Sequence, residues 1–250
     1  MTQNSVYAAI YYDSNNDGLI ESGEQLYSTS AYNGGNGQIS ATLGASGNYY
    51  VGISPGNNVN SNYSLQLANT TSTSDQRLTG NALNNTLIGG DGNDKLQGLA
   101  GNDTLQGGNG NDILTGGTGD DQLWGGNGDD ILTGGAGKDK YLFQSSGVFN
   151  TSLGVDYITE FEAGQDQIVL SKTTFNAITN TVGQALTDFA VVTGDQLVNA
   201  NNAHIVYSQS SGSLFYNQDG NLLGTGKVFE FAILGNPDIT LSSSNFSLIA

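Results

Sequence analysis

The chain has 250 residues, with 23 acidic side chains against 6 basic ones, a formal net charge of −17, 37 glycines, 2 prolines and no cysteine. So acidic a chain repels nucleic acid and anionic lipid, because phosphate recognition needs lysine and arginine to displace counterions; it attracts cations instead. Without cysteine there is neither a disulfide framework nor a thiolate metal site, and glycine with so little proline is not a collagen pattern. The 12 tyrosines and 9 phenylalanines supply material for a core, which argues against full disorder. Met1 to Tyr12 carries no basic start and no long apolar run, so no cleavable N-terminal signal is visible. No apolar stretch approaches the ~18 residues of a membrane span. By those signs alone the chain would stay in the cytoplasm; the repeats further on argue otherwise.

Residues 1–69 read as β-strands at 6–12, 24–32, 38–43, 48–53 and 63–67, the last with Tyr63, Leu65 and Leu67 alternating with polar residues as a half-buried antiparallel strand requires. Between the first two strands lies DSNNDGLIESGE, residues 13–24. Asp13, Asn15 and Asp17 fall at positions 1, 3 and 5 of a twelve-residue loop, Gly18 at the turn and the Leu19 carbonyl at position 7. Ile20 is apolar at position 8, Glu21 sits at 9 and Glu24 at 12. This spacing resembles the EF-hand calcium loop, set here in a β-hairpin because its flanks are β-branched and aromatic. The plain alternative is an Asp/Asn/Gly turn without metal, which leaves the acidic twelfth position without a purpose. The stretch SGNYYVGISPGNNVNSNYSLQL, residues 46–67, is similar to the closing strands of bacterial pre-peptidase C-terminal domains, β-sandwich accessories of secreted peptidases.

Residues 70–79 are rich in Ser and Thr and read as a linker. From Gly80 the chain repeats every nine residues: GNALNNTLI, GGDGNDKLQ, GLAGNDTLQ, GGNGNDILT, GGTGDDQLW, GGNGDDILT and GGAGKDKYL. Position six is Asn85, then Asp94, Asp103, Asp112, Asp121, Asp130 and Asp139; position eight is Leu87, Leu96, Leu105, Leu114, Leu123, Leu132 and Tyr141. Paired glycines, with a third at position four, let the backbone turn tightly and leave carbonyls free to face an ion. A carboxylate at position six is the hard oxygen ligand calcium prefers. The last three residues of each unit form a short strand whose position eight points inward. A flexible Gly/Asn/Asp linker would have the composition without the register.

The units resemble the RTX (repeats-in-toxin) motif G-G-x-G-x-D-x-apolar-x, which implies a parallel β-roll with calcium between turns two repeats apart. The turns starting at 80, 98, 116 and 134 then share one side, and those at 89, 107 and 125 the other. The ligands implied are Asp94, Asp103, Asp112, Asp121, Asp130 and Asp139 with the backbone of Gly92, Gly101, Gly110, Gly119, Gly128 and Gly137. Four well-formed sites follow, with a fifth at the degenerate first turn, where Asn81, Leu83 and Asn85 depart from the motif.

Beyond Tyr141 the glycine period stops. The segment from Asp156 through Phe161, then Gly164, Asp166, Ile168 and Leu170, resembles the D-x-I-x-x-F…G-x-D-x-I-x-L cap of serralysin-like RTX proteins, and Asp156 is placed to complete the last ion site. HIVYSQSSGSLFYNQDGN followed by KVFEFAIL resembles the later hairpin of that cap, with 217–220 as a turn. A cap is needed physically, since an open coil edge invites aggregation. The end, 244–250, resembles an uncleaved type I secretion signal, which accounts for the missing N-terminal one.

No H-E-x-x-H or G-x-S-x-G occurs, and His204, the single histidine, reads as part of a cap strand; no enzyme activity is expected. Trp124 at position nine should face outward. The expected organisation is all-β: a parallel β-roll (solenoid), residues 80–142, flanked by an N-terminal antiparallel β-sandwich-like domain, 1–69, and a C-terminal β-rich cap, 143–250. The expected role is a secreted protein whose roll folds on extracellular Ca²⁺, with a type I transporter as export partner. Two other classes fit the same chain: an accessory module of a larger secreted hydrolase, or an extracellular matrix or surface-interaction protein.

Overall fold

Position eight of the nonapeptide sets the architecture. In the computed structural model Leu87, Leu96, Leu105, Leu114, Leu123, Leu132 and Tyr141 are all fully buried, one per unit, while their neighbours on either side stay half-buried or exposed. The structure describes residues 5–13, 25–32, 48–55, 66–68, 73, 75–195, 198, 202–220, 227–236 and 239–250. Strands β1 to β19 lie among them, and no α-helix does.

The roll strands are β5 (Arg77–Thr79), β6 (Thr86–Asp91), β7 (Lys95–Ala100), β8 (Thr104–Asn109), β9 (Ile113–Thr118), β10 (Gln122–Asn127), β11 (Ile131–Ala136) and β12 (Lys140–Phe143). From β5 to β10 each pairs in parallel with the strand eighteen residues on: Leu87 with Leu105, Leu105 with Leu123, Leu123 with Tyr141, and on the other face Leu78 with Leu96, Leu96 with Leu114, Leu114 with Leu132. Two units therefore make one coil, and alternate units feed alternate sheets. Most of these strands run six residues rather than the expected three, because the opening glycines of the next unit keep pairing, as Gly90 does with Gly108. The burial that results is two-fold: the leucine, and two residues on a glycine whose missing side chain lets the coil close.

Toward the N-terminus, β1 (Ser5–Asp13), β2 (Gln25–Tyr32) and β3 (Asn48–Pro55) form an antiparallel sheet in the order β2-β1-β3. The expected strand at 38–43 lies outside the described residues. The expected strand at 63–67 is corrected: β4 (Gln66–Ala68) joins the roll, parallel to β6, with Leu67 opposite Leu87. The expected linker at 70–79 likewise ends in β5, which pairs with β7. A parallel edge needs a partner for its N–H and C=O groups, and these two strands supply it.

The cap prolongs both sheets. Its strands are β13 (Asp156–Glu160), β14 (Gln167–Ser171), β15 (Phe189–Val192), β16 (Ile205–Ser208), β17 (Ser213–Asn217), β18 (Val228–Leu234) and β19 (Phe246–Ile249). One sheet runs β4-β6-β8-β10-β12-β14-β19, the other β5-β7-β9-β11-β13-β18-β17-β16-β15. Ile158 and Ile168 take up the leucine column, opposite Leu132 and Tyr141. Behind them Phe143, Phe149, Phe175, Tyr216 and Phe231 pack edge-to-face or tilted, with ring centroids 5.0–5.4 Å apart. β16 and β17 form the expected hairpin, and Gly220 N–H donates to Asn217 O at 3.4 Å, closing a turn at 217–220. Among the described residues no helix is long and apolar enough to cross a membrane.

Candidate metal sites at the turns

Each turn presents its carboxylate in the same way. The backbone N–H of Asp94 donates to Asp112 Oδ1 at 2.7 Å, and Asp112 N–H donates to Asp130 Oδ1 at 2.7 Å. On the opposite edge Asp103 N–H donates to Asp121 Oδ1 at 2.7 Å and Asp121 N–H to Asp139 Oδ1 at 2.9 Å. The second oxygen is the revealing one. Oδ2 of Asp94, Asp103, Asp112, Asp121, Asp130 and Asp139 is buried with no hydrogen-bond partner, in residues only 1% exposed.

A buried carboxylate oxygen with nothing to bond costs several kcal/mol unless it is paired or coordinates a cation. These oxygens point into their own turns: a Cβ on Gly107 would collide with Asp112 Oδ2 and lie 2.6 Å from the Gly125 carbonyl oxygen of the next coil. Only glycine leaves that space open, and an Asp oxygen and a glycine carbonyl oxygen converge on it. Position-four glycines stack along each edge, Gly92, Gly110 and Gly128 on one and Gly101, Gly119 and Gly137 on the other, the carbonyls of Gly92, Gly110, Gly101 and Gly119 each directed at the glycine one coil on. All six have φ between +103° and +145°, which other residues avoid.

Burial pushes these acids up most, the backbone N–H bonds pull them part of the way back, and neighbouring carboxylates add a smaller push at each except Asp103. Asp112 and Asp139 rise to about 6 and Asp121 to about 7, and Asp94 and Asp103 rise as well. Burial pushes Asp130 and Asp156 up as well, and the neighbouring Asp130 carboxylate adds to the rise at Asp156. Among the described residues no three acidic or imidazole side chains gather as one cluster. The donors on offer are thus paired carboxylates plus backbone carbonyls, an all-oxygen set suited to a hard cation such as Ca²⁺ and unsuited to a soft one.

The degenerate first turn behaves differently. Asn85 Oδ1 accepts the Asn81 N–H at 2.6 Å and Asn85 Nδ2 donates to Asn81 Oδ1 at 3.2 Å, so this side chain is satisfied within its own turn. At the cap Asp156 Oδ1 accepts Asp130 N–H at 3.2 Å. Asp166 does the same for Asp139 at 3.0 Å, which sequence reasoning missed. The signal was present: Gly154-Val155-Asp156-Tyr157-Ile158 and Gly164-Gln165-Asp166-Gln167-Ile168 each repeat positions four to eight of the unit.

Of the N-terminal loop, Asp13 ends β1; Asn15, Asp17, Leu19, Glu21 and Glu24 lie outside the described residues. The strands on either side, β1 and β2, pair antiparallel, with Tyr11 opposite Gln25. Trp124 is not a free outward ring: it is half-buried and its indole N–H donates to Gln144 O at 3.2 Å, under the first stretch of the cap. His204 precedes β16 and is tied to Asp188, N–H to Oδ1 at 2.9 Å and Nδ1 to Oδ2 at 2.6 Å.

Stacked turns with paired aspartates on an all-parallel coil define a calcium-binding β-roll. Its units are RTX repeats: residues 79–114 and 106–141 match the family model described as RTX calcium-binding nonapeptide repeat (4 copies). No curated protein matches the chain. Among solved structures, the AlgE6R3 subunit from the Azotobacter vinelandii mannuronan C5-epimerase is similar at 24% identity over 72% of this chain and 82% of that one, with a TM-score of 0.39.

Proposed function

We propose that this is a secreted protein whose β-roll folds when it binds extracellular Ca²⁺. The observation that carries the reading is the set of six buried, unpartnered Asp Oδ2 atoms, one per well-formed turn. Asp94 with Asp112, Asp112 with Asp130, Asp103 with Asp121, and Asp121 with Asp139 bracket four gaps between stacked turns, and glycine carbonyls of the same turns complete each oxygen set. Bound calcium supplies the positive charge these carboxylates lack. Without it, one leucine in nine residues is a thin core, and clustered aspartates repel.

The magnitudes favour a switch. With Kd near ~10⁻⁴ M, in the range of extracellular modules, about 2 mM calcium stabilises each site by roughly 1.8 kcal/mol and four by about 7 kcal/mol. A domain's whole net stability is ~5–15 kcal/mol. At submicromolar calcium the four sites together contribute less than about 0.03 kcal/mol. A chain that stays unfolded inside the cell can thread a type I transporter and fold outside. The loop with Asp13, Asn15, Asp17, Leu19, Glu21 and Glu24 adds a candidate site at the N-terminal hairpin. Circular dichroism of the full chain in excess calcium and in excess EGTA tests the reading: β signal gained with calcium is expected, and an unchanged signal in EGTA overturns it.

A further inference from the structure

The two faces of the roll carry different side chains at the same repeat position. Position seven points outward, because position eight points in. On the sheet containing β6 it reads Thr86, Thr104, Gln122 and Lys140, side by side in register. On the sheet containing β5 it reads Arg77, Lys95, Ile113 and Ile131, continued by Tyr157 of β13 and Ile233 of β18, again in register. Ile113 is 40% exposed, Ile131 and Tyr157 are each 41% exposed, and Leu99 at 41% stands on the same side of β7. These are four of the seven large apolar side chains exposed among the described residues, so the exposure is a patch and not scatter. Thr115 and Thr133 flank the two isoleucines, and Gly117 and Gly135 beyond them leave the face flat.

The cations restrict what can lie there. Arg77 sits directly opposite Lys95 on the neighbouring strand, and like charges so placed repel. Among the described residues neither is held in an ion pair. No outward position of β5, β7, β9 or β11 is acidic, because the carboxylates of the roll lie at its turns, along the two rims. Consider a second copy laid face to face on this sheet. A two-fold axis along the stack of strands sets Arg77 and Lys95 over their own counterparts, which is repulsive. A two-fold axis parallel to the strands reverses the order. Ile113 then lies over Ile131 of the second copy, and Lys95 over Tyr157 of the second copy, whose ring offers its face to the ammonium.

We propose that this face joins two copies of the chain, sheet against sheet, in the reversed order. Five strands at ~4.8 Å spacing and six residues at ~3.3 Å rise give a face of about 24 Å by about 20 Å. Two such faces cover about 1,000 Å², the size at which a specific interface begins. Flat sheets of this kind pack about 10 Å apart with strands within about 30° of each other. The face exists only in the folded roll, so the pairing rests on the calcium reading above; calcium on the rims also lessens the repulsion between two acidic chains.

Sedimentation equilibrium of the full chain at saturating calcium, with circular dichroism of the same samples, tests this. Wild type is expected at twice the chain mass. Ile131→Lys removes two buried isoleucines per dimer and is expected to weaken association by about a hundredfold or more. Ile113→Lys should do the same, and Thr104→Lys on the opposite sheet should leave the dimer intact. The chain has no cysteine, so the order of strands can be read by cross-linking. A short bis-maleimide is expected to join Lys95→Cys to Tyr157→Cys in an equal mixture and to join neither variant to itself. Wild type that shows the β signal and stays monomeric overturns the proposal, and so does a dimer indifferent to both isoleucine variants or one that cross-links Lys95→Cys to itself. A chain without a calcium-induced β signal overturns the calcium reading and this face with it.

Discussion

Asn81 and Asn85 satisfy one another: the Asn81 N–H donates to Asn85 Oδ1 at 2.6 Å and Asn85 Nδ2 reaches back to Asn81 Oδ1 at 3.2 Å. Six turns further along hold an aspartate with a stranded oxygen in the same place. In a solenoid, stability is approximately a sum of unit and nearest-neighbour terms, so a central break uncouples two halves while a terminal one frays an edge. Asp112→Ala, which touches two gaps, is expected to cost at least ~2 kcal/mol and raise the calcium midpoint for folding strongly. Asn85→Ala should barely move it, and Asn85→Asp should lower it. A calcium titration followed by Trp124 fluorescence reads all three; equal midpoints for the Asp112 and Asn85 variants would remove the stacked-turn account.

Leu99 is a second departure from the motif. It holds φ +83° at a position where Gly90, Gly108, Gly117, Gly126 and Gly135 also have positive φ, and its side chain is exposed. A left-handed conformation costs a non-glycine residue roughly 1–2 kcal/mol, partly offset by the greater unfolded freedom of glycine. Leu99→Gly is expected to stabilise the calcium-loaded roll by about 0.5–1 kcal/mol in chemical denaturation. Gly117→Ala, whose Cβ would collide with the Leu99 carbonyl, should destabilise it by more than that. A destabilised Leu99→Gly would mean that the leucine makes a contact worth more than its strain.

Acid and calcium should act on the roll in opposite ways. In the calcium-free protein burial holds Asp112 and Asp139 at about 6 and Asp121 at about 7, above their ordinary value of 3.8. The folded state therefore binds more protons than the unfolded one across that window. The stability this lends is complete below the ordinary value and is lost as pH rises through 6 to 7. Lowering pH from 7.5 to 5 in calcium-free buffer is expected to increase β signal. The same shift should raise the calcium midpoint, because the ion needs ionised carboxylates. A calcium-free β signal that falls on acidification would contradict the burial of these groups.

Export gives a cellular test. Residues 246–249 form β19, parallel to β14, with Phe246 and Leu248 buried; under the export reading a transporter would have to grip them before the cap has formed. Deletion of residues 191–250 should leave the protein inside cells that carry a type I transporter, scored by immunoblot of medium against pellet. Efficient secretion of the truncated chain would place the signal elsewhere.

What could be read from the chain alone follows from spacing. Aspartates and leucines at a fixed nine-residue interval specify the coil, its inward column and the side of each turn, because each unit carries the same local conformation. The ends were harder. Asp156 and Asp166 sit 26 and 27 residues beyond the aspartates they continue, not 18, so the inserted segments hide the half-units GVDYI and GQDQI. Gln66–Ala68 and Arg77–Thr79 show only a leucine each and lack the glycines, yet pairing with a neighbouring strand is enough to recruit them. The strand length was missed because glycine has little intrinsic preference for strands, while at the first position of each unit, as at Gly98 and Gly107, the stacked coil leaves room for glycine alone. The hydrogen bond that holds the Trp124 indole goes to Gln144, a residue outside the repeat, and no periodicity points to it.

Because successive units alternate between two sheets, the roll has a parity. The edges it alternates are not equivalent: on one, Asn109 Nδ2 donates to Asp91 Oδ1 and Asn127 Nδ2 to Asn109 Oδ1, while Ala100, Thr118 and Ala136 hold the same position on the other. Excising eighteen residues would shorten the coil by one storey and leave every later strand in its own sheet. Excising nine would move each later strand, the cap's included, to the opposite sheet. Such a chain can lengthen or shorten only by even steps.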